Sequence, residues 1–184
     1  MKISLTGTPG TGKTTISRMF KNEVEIIHLN FLVNKYKNLW EYDNFRKTKI
    51  IDIDKLNEIV DNYIYTKISN NNIILIEGHL SHLLKGVDKV ILLRLHPLEL
   101  KKRLKKRKWE KNKIKENIES EILDIILCEC IENFSNSDIF EIDTTGKEIK
   151  DIYNIIDCII KNNFKIYPKY LIGKIDWSNE IFNF

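Results

Sequence analysis

The segment Gly7-Thr8-Pro9-Gly10-Thr11-Gly12-Lys13-Thr14 limits the possible folds more than any other stretch of this chain. It fits the spacing G-x-x-x-x-G-K-[ST] at every fixed position. Its setting fits too: Lys2–Thr6 reads as a short apolar strand and Lys13–Lys21 as a helix. The glycines let the backbone curl until successive N–H groups point inward, and the helix N-terminus adds its positive dipole end. A loop of this kind holds phosphate oxygens, with Gly10, Thr11 and Gly12 in the cradle. Lys13 then reaches the β- and γ-phosphates, Thr14 ligates Mg²⁺, and Thr15 meets the α-phosphate from the first helical turn. The plain alternative, a Gly-rich turn with a surface lysine, does not require the complete match in that setting.

Short apolar runs alternate with helical patterns along the rest of the chain. Val24–Leu29, Ile73–Ile76, Val87–Leu95 and Ile139–Ile142 read as further strands. Phe31–Asn38 and Asp52–Ser69 read as helices, Leu39–Lys49 as irregular, and Asn70-Asn71-Asn72 as a turn. Pro97 opens a helix. The apolar stripe Ile114, Ile118, Ile122, Ile125, Cys130 and Phe134 predicts one long helix. Thr145 with Glu148 fits a capping box for a last helix. The expectation is an α/β P-loop three-layer sandwich on a five-stranded parallel sheet, with ligands at the carboxyl ends of the strands. The 184 residues suit one domain, 1–184. The aromatic tail, 166–184, carries too much apolar surface to hang free, so it is expected to pack on the domain or on a partner.

Charge and cysteine usage narrow the setting. The net charge is +4, too mild by itself to signal nucleic-acid binding. No apolar run approaches the roughly 20 residues of a membrane span, and the N-terminus turns polar too early for a secretory signal. Cys128, Cys130 and Cys158 have no metal-site spacing and suit buried thiols in a reducing cytoplasm.

Three further groups bear on chemistry. Glu77 closes the apolar run Ile73–Ile76 and so falls at the ligand edge of the sheet. It can hold Mg²⁺ or accept a proton. His79 either orients a water or phosphate, or is an ordinary loop or capping histidine. His82 reads as a helix-surface residue, and His28 and His96 carry no further signal. Arg94 ends a strand, while Arg103 and Arg107 share one helix face. With only five arginines against twenty-five lysines, an arginine here suits bidentate contact with transferring phosphoryl oxygens. The basic stretch 101–115 reads mainly as a solvated face, with RNA contact as a second reading.

With these pieces placed, the chain resembles the atypical adenylate kinases shared by archaea and eukaryotic nuclei. The resemblance rests on residues 7–15, Leu39-x-x-Tyr42-Asp43, Ile76-Glu77-Gly78-His79, Leu92-Leu93-Arg94, Arg103-x-x-x-Arg107, Glu116-Asn117-Ile118-x-x-Glu121 and the tail Gly173-x-Ile175-Asp176-Trp177. It implies an AMP-side insert at about 28–51 and a short lid at about 106–116. It implies ATP contacts at Gly10, Gly12, Lys13, Thr14, Thr15 and Arg107, and an acid-x-His motif at Glu77 and His79, where the eukaryotic pattern has Asp first. An arginine common in the insert helix is replaced by Asn34-Lys35, which makes Lys35 the expected AMP-phosphate ligand, with Tyr42 beside it. It further implies ATPase activity in late 30S assembly and 16S rRNA maturation. The implied partners are small-subunit platform ribosomal protein eleven and the pre-30S particle.

Three readings stay open: an adenylate kinase converting ATP and AMP to two ADP, an ATP-driven ribosome assembly factor with little kinase activity, and a small-metabolite kinase on the same scaffold. A GTPase is disfavoured, because Asn34-Lys35-Tyr36-Lys37 lacks the Asp of a guanine-reading motif.

Overall fold

The first strand, β1 (Lys2–Thr6), runs through the glycine-rich loop into α1 (Lys13–Met19). Next come β2 (Glu25–His28), α2 (Leu29–Lys35), β3 (Trp40–Asp43), β4 (Thr48–Ile51) and α3 (Ile53–Lys67). They are followed by β5 (Ile74–Glu77), β6 (Lys89–Arg94), α4 (Pro97–Lys106), α5 (Lys111–Ile122), α6 (Ile125–Asn133), β7 (Ile139–Asp143) and α7 (Ile149–Lys161). The structure, a computed structural model, describes residues 1–44, 48–67, 73–165 and 168–183.

Five strands form one parallel sheet in the order β2-β5-β1-β6-β7. Their Ile, Leu and Val side chains are buried on both faces, which is why the strands read as apolar runs without alternation. On one face α1 and α7 pack Ile16, Phe20, Ile152, Ile156 and Ile159 against Ile3, Leu5 and Ile91. On the other face Leu32, Leu56 and Val60 meet Ile74 and Ile76, and Leu127 and Cys130 meet Val90 and Leu92. The result is an α/β three-layer sandwich of the P-loop kinase type. The parallel register brings the ends of β1, β5, β2 and β6 to one edge, where Glu77 lies opposite both Leu5 and His28.

Several elements depart from expectation. The stretch read as irregular holds a small antiparallel hairpin, in which β3 and β4 pair Trp40 with Ile51 and Tyr42 with Lys49. The insert helix runs over Leu29–Lys35 rather than Phe31–Asn38. The long helix is two helices, because Asp124 adopts a left-handed conformation (φ 55°) between α5 and α6. Its carboxylate there accepts from the buried Arg94 guanidinium, a tertiary pairing that the unbroken apolar stripe did not reveal. The capping box does not form. The Thr145 hydroxyl instead accepts from the His96 backbone N–H at 2.9 Å, and Glu148 caps α7 without a side-chain bond. Pro97 does open α4, with His96 Nδ1 accepting from Leu98 N–H.

Only Cys130 is buried; Cys128 and Cys158 are exposed, so the expectation of three buried thiols fails. Between α4 and α5, where the lid is expected at about 106–116, the non-helical connection is only residues 107–110. Part of the tail returns to the body: Leu171 bridges Phe140, and Trp177 packs among Leu95, Leu100 and Leu104. The asparagine turn at 70–72, the end of the Asp52–Ser69 helix and Phe184 lie outside the described residues. Among the described residues no helix is long and apolar enough to cross a membrane.

Candidate active site

The loop between β1 and α1 is shaped by two demands on its glycines. Gly7 has φ 134°, and a Cβ there would sit 2.3 Å from the carbonyl oxygen of Leu93. Gly12 has φ 110° at the N-cap of α1. Lys13 is 7% exposed, and its ammonium donates to Gly7 O at 2.6 Å and Thr8 O at 3.1 Å. Burial lowers its pKa to about 8, against the opposing pull of Glu77 and Glu121. Gly10, Gly12, Lys13, Thr14 and Thr15 all line one cleft of about 690 Å³. Thr11, expected among the ATP contacts, does not line it. Its side chain is fully buried, its Oγ1 has no partner among the described residues, and its N–H donates to Thr8 O at 3.2 Å, closing the loop.

Glu77 closes β5 beside the loop and is 2% exposed. One carboxylate oxygen accepts from Thr14 Oγ1 at 3.0 Å, and the other lies 2.8 Å from His28 Nδ1. A hydroxyl and a carboxylate side by side are hard oxygen donors. Mg²⁺ takes one or two such protein oxygens and fills its octahedron with water and phosphate. Thr14 and Glu77 therefore fit Mg²⁺. His79 lines the cleft, and burial, with Lys13 nearby, lowers its pKa to about 4. Its ring is neutral at pH 7. His82 is not on a helix surface: it is 1% exposed, bridging Thr6 Oγ1 (2.9 Å) and Glu129 (2.8 Å). Burial lowers its pKa, while Glu129 pulls the other way.

The basic residues separate into different roles. Arg107 is exposed and lines the cleft at the lid. Arg103, in α4 just before it, does not line the cleft; its guanidinium donates to Gly10 O at 3.2 Å and to Glu99 at 2.5 Å. Arg94 is 2% exposed, paired with Glu121, Glu141 and Asp124. Those carboxylates overcome burial and raise its pKa. It braces the fold through these carboxylates and does not line the cleft. On the insert, Tyr42 lines the cleft as expected. Lys35 does not; its ammonium lies 5.3 Å from the Tyr36 ring centroid. Among the described residues, the insert lysine that lines the cleft is Lys49.

Sequence reasoning passed over three residues. His28 carried a signal only through the parallel register that sets it opposite Glu77. Lys49 lay in a stretch read as irregular. Glu121 is 113 residues from Thr8, whose hydroxyl donates to it, and it also accepts from Arg94 Nε at 2.9 Å and Leu95 N–H at 3.0 Å. It was visible only as part of a family pattern.

A family described as "AAA domain" matches residues 3–124, which contain the phosphate loop, Glu77 and Arg94. The chain is thus a P-loop nucleotide-binding protein by family as well as by fold. A shikimate kinase from Acinetobacter baumannii, solved with shikimate, covers 89% of the chain and 95% of its own length at TM-score 0.57 and 17% identity, a likeness of fold alone. A protein of Methanosarcina barkeri named "Putative adenylate kinase" is 42% identical over 96% of this chain and 97% of its own length. One of the same name from Methanocaldococcus jannaschii is 37% identical over 100% of this chain and 97% of its own length. The chain belongs to this archaeal family.

Proposed function

We propose that the chain is an adenylate kinase-type nucleoside monophosphate kinase that transfers the γ-phosphoryl of Mg·ATP to AMP, giving two ADP. The single observation that carries this is the continuity of the cleft. The phosphate loop (Gly10, Gly12–Thr15) forms one end, and the insert (Val33, Tyr42, Lys49, Ile51) forms the other. Two phosphorylated ligands can meet between them. The names of the archaeal relatives support the same reading.

In this reading an oxygen of the acceptor phosphate attacks the γ-phosphorus while the bond to the β–γ bridging oxygen breaks. No covalent enzyme intermediate is needed. Lys13 and Arg107 meet the charge on the transferring group, and Arg103 holds the loop through Gly10. Thr14 and Glu77 would hold Mg²⁺, which would supply positive charge against the phosphate oxygens of ATP. The lid at 107–110 closes over the reacting groups and excludes water.

A specific feature favours ATP hydrolysis as a second activity. The neutral ring of His79, facing the cleft, has a nitrogen free to accept from a water at pH 7. The family resemblance gives that hydrolysis a setting in late 30S assembly and 16S rRNA maturation, with release from platform ribosomal protein eleven. Exposed Lys102, Lys105, Lys106 and Lys108 are the surface on which an RNA contact through 101–115 would rest.

The test is ADP formation from Mg·ATP alone, with AMP, with shikimate, and with pre-30S particles. A rise on adding AMP of at least about tenfold supports the kinase reading. Turnover indifferent to AMP but stimulated by pre-30S particles replaces it with the assembly ATPase, and stimulation by shikimate alone with a metabolite kinase. Lys13→Met should lower every one of these rates by at least about a hundredfold, because among the described residues Lys13 is the buried cation that lines the cleft at the phosphate loop.

A further inference from the structure

We infer that Lys49, on the second strand of the insert hairpin, takes the phosphate of the acceptor nucleotide. The inference rests on the kinase reading above and assigns the acceptor end of the same cleft.

Three observations place the ammonium there. First, Lys49 and its cross-strand partner Tyr42 both line the cleft, as does Ile51 on the same face of β4. Ile50, between them, points away and is 58% exposed. Second, the ammonium is oriented. It donates to Asn34 Oδ1 at 2.9 Å and lies 4.2 Å from the Trp40 ring centroid. Trp40 is itself fixed, its Nε1–H donating to Val33 O at 3.1 Å. Helix α2 and the hairpin thus hold the ammonium from two sides. Third, its charge is unanswered. An amide oxygen and a ring face are neutral partners, and they leave N–H groups to spare. Among the described residues no carboxylate pairs with it, whereas Lys55 of α3 pairs with Asp52 and Lys85 with Asp54 of α3.

The other cations lining the cleft belong to the opposite end: Lys13 to the phosphate loop, Arg107 and Lys113 to the lid and α5. Of the described insert residues that line the cleft, Lys49 is the cation. A pre-oriented ammonium with no internal counter-ion suits a phosphate monoester dianion better than a neutral nucleoside. The hairpin also explains why α2 can carry Asn34: the side chain aims Lys49 and need not bind the anion itself.

The experiment compares the binding of AMP and of adenosine to the full chain by calorimetry, in the wild type, Lys49→Met, Lys49→Arg and Asn34→Ala, and pairs it with steady-state kinetics. The wild type should prefer AMP. Lys49→Met should bring the AMP-to-adenosine affinity ratio down about tenfold to a hundredfold, the cost of losing a charge-assisted bond. Lys49→Arg should restore most of the ratio, and Asn34→Ala should give an intermediate loss. A Lys49→Met protein that keeps the wild-type ratio overturns the inference alone. So does one that loses AMP and adenosine equally, since Lys49 would then only staple the hairpin. A wild type whose turnover ignores AMP overturns the kinase reading, and this inference with it.

Discussion

Glu77 is pinned from two sides, and its two partners come from different parts of the chain. Thr14 belongs to the phosphate loop, while His28 ends the neighbouring strand and caps α2 of the insert. A carboxylate that is to hold Mg²⁺ needs a fixed rotamer, and such supporting hydrogen bonds are commonly worth ten- to a hundredfold in metal affinity or activity. His28→Ala should therefore raise the Mg²⁺ concentration for half-maximal turnover by about tenfold. The fold should be retained, since the side chain is one-third exposed. A Mg²⁺ titration of ADP formation checks this. His82 makes a different prediction, about stability. Burial depresses its pKa below the ordinary 6.5 against the pull of Glu129. As pH falls below about 6.5, the unfolded chain binds a proton that the folded one refuses. This contribution to stability is thus present above pH 6.5 and is lost progressively on acidification. Urea midpoints of the wild type should fall between pH 7.5 and pH 5.5. Those of His82→Asn should start lower, because the bridge from Thr6 to Glu129 is cut, and should fall less steeply.

At the scale of elements, α5 is tied to the phosphate loop by one buried side chain. Glu121 takes the Thr8 hydroxyl with one oxygen, and Arg94 Nε and Leu95 N–H with the other. It thereby fixes the helix that follows the lid against the loop that precedes α1. Glu121→Ala leaves Arg94 buried with less than its full set of carboxylates. The expected cost is about 3 to 5 kcal/mol, typical of breaking a buried ion pair from one side, and urea denaturation measures it. The loop itself was legible because its residues are consecutive and each has one job. The strands were legible because burial on both faces leaves uninterrupted Ile, Leu and Val. The hairpin was not, because Trp40–Asp43 and Thr48–Ile51 are short and half polar and pair only with each other. Nor was the break between α5 and α6. No Gly or Pro marks Leu123-Asp124, and what holds Asp124 left-handed is Arg94, 30 residues earlier. Local pattern reveals elements whose cause is local, and the ties among Glu121, Arg94 and Thr8 are not of that kind.

Over the whole molecule, the C-terminal tail joins distant parts of the body. Gly173 N–H donates to Glu141 of β7, Leu171 bridges Phe140, and Trp177 packs on the cluster formed by Leu95, Leu100, Leu104 and Ile114. His96 meets the Trp177 ring edge-on at 4.8 Å between centroids. Trp109 of the lid packs against that same cluster, so the tail and the lid share one apolar support. The tail's aromatic content left two places open, the body or a partner, and could not foretell where the tail lands. Among the described residues, the buried Trp177 Nε1 has no hydrogen-bond partner. The ring therefore stabilises by apolar contact while its N–H costs free energy. These two effects separate by substitution. Trp177→Ala removes the contact and should destabilise by about 1 to 3 kcal/mol. Trp177→Phe keeps most of the contact and removes the orphan donor, whose burial costs on the order of 1 to 3 kcal/mol. It should be at least as stable as the wild type, unlike an ordinary large-to-small change in a cluster. Thermal melts of the three proteins decide the matter. If Trp177→Phe falls as far as Trp177→Ala, the indole N–H is satisfied in solution and the tail is held by a polar anchor. If it melts at or above the wild type while Trp177→Ala falls, apolar contact alone holds the tail to the support it shares with the lid.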